Sequence, residues 1–313
     1  VLELRCRAVK LAPRLVVLMT LPPMLWAGNA VVGRLMVGSL PPLTLNFVRW
    51  VIAALILLPL GWRALRHWRV LADRWRYLLM LGLLGTGCYN AFQYMALVTT
   101  TPINATLIAA SMPVGMLAVG ALAFGEHPTR RQAIGAALSI AGVLLVIARG
   151  DVATLAEVRL VRGDLYMLVA VLAWAFYSWM LVRPPESMRG AARPAWNWAE
   201  GLLVQVLFGL TGSGLAAAVE TASGAAPMRL DGWVLLGLAY VAIGPAVIAY
   251  RCWGVGVAEG GPALAALFTN LTPLFAAVLS AAVLGEPPRW YHAVAFAFIV
   301  AGIVASSGER RRP

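Results

Sequence analysis

The sequence predicts an all-α integral membrane protein with ten transmembrane helices arranged as two inverted five-helix repeats. Composition is the first reason. At 61% hydrophobic, 12% charged and a mean hydropathy of +0.81, the chain lies far from the roughly 45–50% apolar and 25% charged residues of soluble domains. The second reason is a self-match. Residues 102–142 align with 262–302 without a gap at an offset of 160, with twelve of 41 positions identical, among them Pro102/Pro262, Pro113/Pro273, Gly125-Glu126/Gly285-Glu286, Pro128/Pro288 and Gly142/Gly302. A shared Ala and Leu bias would not align three prolines and a Gly-Glu pair. The third reason is the distribution of Lys and Arg among the loops.

Apolar runs of about 18 or more residues read as membrane helices, because the bilayer core is about 30 Å thick and a helix rises about 1.5 Å per residue. Span 1, at 14–37, follows the basic residues Arg5, Arg7, Lys10 and Arg14 and is too long for a cleaved signal segment. Span 2 (43–61) carries Arg49 two turns in, and span 3 (77–98) carries Tyr89-Asn90-Ala91-Phe92-Gln93-Tyr94. Span 4 (103–124) has Pro113 midway, and span 5 (131–148) follows Arg130-Arg131. Span 6 (164–182) holds Trp174-Ala175-Phe176-Tyr177-Ser178. Span 7 covers 197–219, span 8 (232–257) has Tyr240, Tyr250 and Arg251, span 9 (262–284) has Pro273, and span 10 (290–306) opens on Trp290-Tyr291. A β-barrel would give short alternating segments, and these runs are apolar on all sides. Cys6, Cys88 and Cys252 are too scattered for a disulfide framework or a metal site.

A net charge of +12 does not mark a nucleic-acid binder here, because the charge is spread through short loops. With the N-terminus inside, seventeen of the 25 Lys and Arg fall in cytoplasmic segments, five in outer loops, and Arg34, Arg49 and Arg251 within spans. The positive-inside rule then puts both termini in the cytoplasm. Five spans per repeat require the second copy to be inverted. Accordingly, Arg130-Arg131 of the first copy faces Trp290-Tyr291 of the second, a basic pair against an interfacial aromatic pair. Residues 1–149 form the first repeat, 150–163 an outer linker and 164–313 the second repeat. Such repeats are typical of secondary transporters, with a small-molecule site near the midplane.

Pro113 and Pro273 predict matched helix breaks, each freeing the carbonyl four residues earlier, at Ala109 and Thr269. Asn104, Ser111, Thr269, Asn270 and Thr272 flank them; the breaks either bound a transport site or only bend helices re-satisfied by Ser111 and Thr272. Candidate substrate-binding residues are Trp26, Asn29, Arg49, Asn90, Gln93, Tyr94, Ser111, Trp174, Tyr177, Tyr250, Thr269 and Asn270. They form a pocket for an amphipathic or aromatic-bearing solute. Arg49 holds either a substrate carboxylate or a partner within the bundle, whereas Arg34 and Arg251 snorkel to water. Glu126 and Glu286 precede helix starts and are expected to cap them. No Asp or Glu occupies the middle of a span, so obligate proton coupling has no visible relay. No P-loop, His/Cys cluster or nucleophile elbow appears, so no cofactor, metal or catalytic residue is expected. A membrane enzyme or a non-transporting scaffold is the competing class, and it would need paired His, Asp or Glu near one interface. Small residues at one-turn spacing (Gly82/Gly85, Gly135/Ser139, Ala276/Ser280, Ala277/Ala281) favour close helix contacts, in a monomer or a homodimer.

Ten spans in two halves, Trp26-Ala-Gly-Asn29 in span 1, Arg49 in span 2, and the twice-used pattern Pro113…Gly125-Glu126…Gly142 and Pro273…Gly285-Glu286…Gly302 resemble the EamA family of the drug/metabolite transporter superfamily. The resemblance covers essentially the whole chain. It implies a multi-pass carrier of the bacterial inner membrane, often an exporter of amino acids or related metabolites, with a cavity lined by spans 1, 3, 4, 6, 8 and 9. Import or exchange of a vitamin, nucleobase or other metabolite is the alternative. The chain departs from the pattern at two outer segments, the charged Gly150–Gly163 and the Ala/Gly/Ser-rich Thr211–Asp231.

Overall fold

The computed structural model describes residues 12–36, 38–99, 108–157, 161–284 and 289–307, and all the regular structure among them is helical. Helix α1 (Pro13–Leu35) and α2 (Pro42–Gly61) lead into a 3-10 turn at Trp62–Arg66 and the short α3 (Trp68–Asp73). A continuous helical stretch then runs through α4 (Trp75–Gly82), a π-helical segment at Leu83–Cys88 and α5 (Tyr89–Thr99). Next come α6 (Met112–Phe124), α7 (Arg130–Ile147), α8 (Arg162–Val182) and α9 (Trp198–Ala222). A second stretch repeats the earlier design, with α10 (Gly232–Val241), a π-segment at Ala242–Ile248 and α11 (Ala249–Gly260). The chain closes with α12 (Pro262–Thr269), α13 (Thr272–Leu284) and α14 (Trp290–Ser307).

Among the described residues, six helical stretches are long and apolar enough to cross a membrane by themselves: Pro13–Gly33, Pro42–Arg66, Arg130–Ile147, Arg162–Val182, Trp198–Ala222 and Gly232–Gly260. Shorter apolar helices cover Met112–Phe124, Pro262–Ala276 and Trp290–Ser306. The chain is thus a multi-pass membrane protein. Against the ten expected spans, the third is diluted by Thr86, Asn90 and Gln93, and the fourth and ninth are each cut in two. The cuts fall at equivalent places: a turn at Ser111 precedes α6, and a turn at Asn270–Leu271 separates α12 from α13. Pro113 and Pro273 therefore sit in the first turn of new helices, where the missing N–H costs nothing.

Several sequence expectations are corrected. The seventh span, expected to end at 219, runs on as α9 to Ala222, into the segment expected on the outer surface, helped at its start by Asn197, whose side chain accepts from Ala199 N and Glu200 N. Glu126 does not cap α7. Thr129 does, accepting from Gln132 N at 3.2 Å while Gln132 returns a bond to Thr129 N at 2.9 Å. Glu126 instead pairs with Arg183 at the end of α8. Arg251 is exposed, with its guanidinium 5.5 Å from the Trp198 ring. Asn104 and Glu286, and the side chain of Arg34, lie outside the described residues.

Close helix contacts follow the small residues. The pair α7 and α14 forms the most extensive helix contact among the described residues. A Cβ added at Gly135 would stand 2.6 Å from the Gly302 carbonyl oxygen, and one at Gly302 would stand 2.6 Å from that of Gly135. Likewise a Cβ at Gly142 would meet Ala295 O at 2.8 Å. The backbones touch where no side chain intervenes. Similarly, α4 lies against α9 through Gly82, whose Cβ would stand 2.7 Å from Gln205 O.

Candidate functional site

Seven aromatic side chains meet at the centre of the bundle. Trp26 comes from α1, Trp50 from α2, Tyr89 from α5, Trp174 and Tyr177 from α8, and Tyr250 and Trp253 from α11. Trp174 is the hub: its ring centroid lies 4.9 to 5.5 Å from those of Trp26, Tyr89, Tyr177, Tyr250 and Trp253. Trp50 meets Tyr250 edge to face at 5.0 Å. These separations suit offset and T-shaped ring pairs, each worth about 0.5–1.5 kcal/mol beyond burial.

Several polar atoms of the cluster are hydrogen-bonded to neighbouring side chains and backbone. Trp253 Nε1 donates to Ser178 Oγ at 3.2 Å, and Ser178 Oγ donates to Trp174 O at 2.8 Å. Tyr177 shares a hydrogen bond with Gln205, whose Nε2 donates to the phenol at 3.2 Å. Both π-segments contribute a carbonyl. Tyr250 OH donates to Gly85 O in the first, and Trp26 Nε1 donates to Pro245 O at 3.3 Å in the second. The local cause is legible in each segment. Thr86 Oγ1 donates back to Gly82 O at 2.7 Å, and Pro245 has no N–H to give, so the regular helical ladder is interrupted within each segment. Short π-segments inside helices are frequent at functional sites.

Beside the rings lies a polar group centred on Arg49, which is 1% exposed. Its Nη1 donates to Asn29 Oδ1 at 3.3 Å and to Asn90 Oδ1 at 3.4 Å, and its guanidinium carbon lies 4.8 Å from the Trp50 ring centre. Four buried polar atoms make no hydrogen bond within the described structure: Asn46 Oδ1, Arg49 Nε and Trp50 Nε1 within one turn of α2, and Tyr94 OH one turn beyond Asn90 on α5. The side chain of Tyr94 packs with Leu45 of α2 and Leu238 of α10.

Among the sequence-predicted residues, Trp26, Trp174, Tyr177 and Tyr250 converge on the aromatic cluster, and Asn29, Arg49 and Asn90 on the polar group. Tyr94 lies one turn beyond Asn90, and Gln93 is half-buried outside both groups. Ser111, Thr269 and Asn270 stand apart at the helix breaks. The Ser111 hydroxyl donates to Ile108 O and that of Thr269 to Ala266 O, both at 2.6 Å. Thr272 Oγ1 donates to Thr269 O at 2.6 Å, so the carbonyl released by Pro273 is satisfied locally. Asn270 donates to Ser139 Oγ on α7. Sequence reasoning missed Asn46, Trp50 and Trp253. Their signal was spacing: Asn46, Arg49 and Trp50 fall within one turn of α2, and Trp253 is three residues after Tyr250. No cluster of three His, Cys, Asp or Glu able to hold a metal occurs among the described residues.

Comparison with known proteins gives a consistent picture. The chain is 26% identical over 295 residues to an uncharacterized transporter of Archaeoglobus fulgidus, covering 94% of this chain and 98% of that one. It is 24% identical over 286 residues to the uncharacterized inner membrane transporter YedA of Escherichia coli K12, covering 90% and 86%. A solved crystal structure with 22% identity shares the fold at a TM-score of 0.74, covering 94% of this chain and 97% of that one. The EamA-like transporter family matches twice, over residues 14–148 and 161–308, and the chain belongs to that family.

Proposed function

We propose that the protein is a secondary transporter, working as an exporter of small organic metabolites such as amino acids or related amphipathic solutes. Its two halves, residues 1–149 and 164–313 joined by an outer linker, act as inverted five-helix repeats that alternately open a central site. The single observation that carries this reading is the central cluster: aromatic side chains from both halves close on one another beside a buried arginine. Intramembrane ionisable groups at such a junction mark solute pathways by default.

The helix contacts support the inverted arrangement. Gly135 faces Gly302 while Gly142 faces Ala295, and 135/295 and 142/302 are equivalent positions under the 160-residue offset. A contact that exchanges equivalent positions in opposite chain directions is what a two-fold axis in the membrane plane produces. Equivalent helices also pair in exchange: α8 packs on α5 and α6, and α1 packs on α11 and α13.

The test is flux in proteoliposomes against a panel of amino acids, nucleobases and amphipathic drugs, measured separately for inward-facing and outward-facing insertions. Faster outward movement is expected for exporters, faster inward movement would favour the importer reading, and no movement of any solute would overturn transport. Cysteines at Asn29, Gln93, Ser111 and Thr269 should be labelled from alternating sides in a transporter and remain unlabelled in a scaffold core. An active periplasmic reporter fused after Pro313 would sink the proposed topology.

A further inference from the structure

Arg49 is a fully buried cation without an acidic partner among the described residues. The ion pairs described there lie elsewhere, Arg14 with Glu259 and Arg183 with Glu126. A guanidinium carries five N–H donors in a fixed fork. Arg49 uses Nη1 on two neutral amide oxygens at long distances and leaves Nε unpartnered. Removing a charge from water without a counter-charge is costly, and buried pairs are tolerated chiefly when geometry and hydrogen bonds compensate. Neither the Asn29 and Asn90 contacts nor the Trp50 ring supplies a negative charge.

The unpartnered atoms of Arg49, of its neighbours in the same turn of α2, and of Tyr94 one turn beyond its partner Asn90 define what would. Arg49 Nε, Trp50 Nε1 and Tyr94 OH can all donate, and Asn46 Oδ1 alone among the unpartnered atoms only accepts. A donor-rich, singly positive environment complements an anion with at least two acceptor oxygens and one charge. The planar carboxylate matches the guanidinium fork, whereas a dianionic phosphate would bring twice the charge that Arg49 offers. Immediately beside this polar end stands an apolar wall, because the Trp50 ring meets Tyr250, and Tyr250 meets Trp174 at 5.4 Å.

We propose that Arg49, assisted by Trp50 and Tyr94, is the anion-recognition end of the transport site, and that the protein selects monocarboxylates bearing an apolar body, bound with the carboxylate at Arg49 and the body against the Trp174 cluster. The assignment rests on the transporter reading and adds the charge class of its solute. The single acceptor, Asn46 Oδ1, takes an N–H or O–H next to the carboxylate where the solute has one.

Phenylacetate, its neutral isostere 2-phenylacetamide, cationic phenethylamine and dianionic phenylphosphonate test this on the purified full chain, by tryptophan fluorescence titration. Phenylacetate should bind about tenfold or more tighter than the amide, the scale of one charge-assisted pair. Arg49→Gln should abolish that preference, bringing acid and amide to similar affinities, Arg49→Lys should keep part of it, and Trp50→Phe should weaken phenylacetate severalfold. Arg49→Gln should also raise the apo melting temperature, which an arginine serving only as a structural strut would not do. Should Arg49→Gln fail to fold, the Arg49→Lys and Trp50→Phe titrations decide. Equal affinity for acid and amide, tighter binding of phenylphosphonate or phenethylamine, or no binding of phenylacetate would overturn the assignment. Flux of these compounds in proteoliposomes separates the two readings: carboxylate-selective binding without flux would count against transport alone, and flux without charge preference would count against Arg49 alone.

Discussion

The side-chain amide of Asn270 donates to the hydroxyl of Ser139 across 2.8 Å, joining the break between α12 and α13 to the middle of α7 in the other half of the chain. Both residues are buried, Ser139 at 0% and Asn270 at 2% exposure. In apolar surroundings this amide has no water to fall back on. Ser139→Ala should cost about 1–3 kcal/mol through the orphaned amide, read as a loss of thermal stability in detergent. Adding Asn270→Leu to that variant should recover part of the loss; a further drop of similar size would show that the two residues do not act as a pair.

The closest approach of α7 to α14 falls at two facing glycines. Gly135→Ala and Gly302→Ala each force a methyl to within 2.6 Å of the opposing backbone oxygen. Each should destabilise by about 1–3 kcal/mol, as overpacking does. Because the two sites face each other, the double variant should be non-additive in unfolding measurements. Gly125 offers the contrast: its φ of +68° favours glycine, but a Cβ there has nothing within 4 Å. Gly125→Ala should therefore cost only about 1 kcal/mol, from backbone strain.

Among the described residues two ion pairs bridge the halves, Arg183 with Glu126 and Arg14 with Glu259, on the face that the proposed topology turns to the cytoplasm. The side chains of Arg183 and Glu126 are 36% and 33% exposed, so Glu126→Gln should change global stability by no more than about 1 kcal/mol. Its expected effect is on opening: cysteine labelling from the cytoplasmic side should rise at Asn29. The charge exchange Glu126→Arg with Arg183→Glu should restore the wild-type labelling rate.

Across the opposite face, Glu220 in the last turn of α9 caps the start of α2. Its carboxylate accepts from Leu43 N at 3.0 Å, Thr44 N at 2.7 Å and Thr44 Oγ1 at 2.8 Å. A carboxylate is unfavourable at its own helix C-terminus, and the N-terminus of α2 offsets that. Glu220→Ala should cost about 1–2 kcal/mol, with faster hydrogen exchange confined to the first turn of α2. Protection unchanged there would refute the capping role.

Much of the helix layout was readable because burying a backbone in lipid leaves few options, and long apolar runs declare themselves. Matched prolines foretold matched breaks for the same reason, since a missing N–H acts locally. The π-segments were not readable: Gly85-Thr86-Gly87 and Pro245 look like ordinary helix residues until their carbonyls meet Tyr250 and Trp26 from other helices. Trp50 and Trp253 escaped notice because Trp in a membrane span has two uses, as interface anchor and as core, that composition does not separate. Glu126 was misassigned because a carboxylate ahead of a helix reads as a cap, and its partner Arg183 is 57 residues away.

By itself the sequence determined that this chain lies in a membrane, that it carries its motif twice, and that Arg49 would have to be explained, since local periodicity, prolines and an isolated charge act within a turn or two of chain. Only the tertiary structure decided that Arg49 finds amides and, among the described residues, no acid, that Trp174 gathers rings from three other helices into one cluster, and that Ser111 and Thr269 serve their own backbone. Those outcomes depend on which side chains reach one another across helices. A hydrogen bond or a charge is satisfied by its neighbour in space, whatever its distance along the chain.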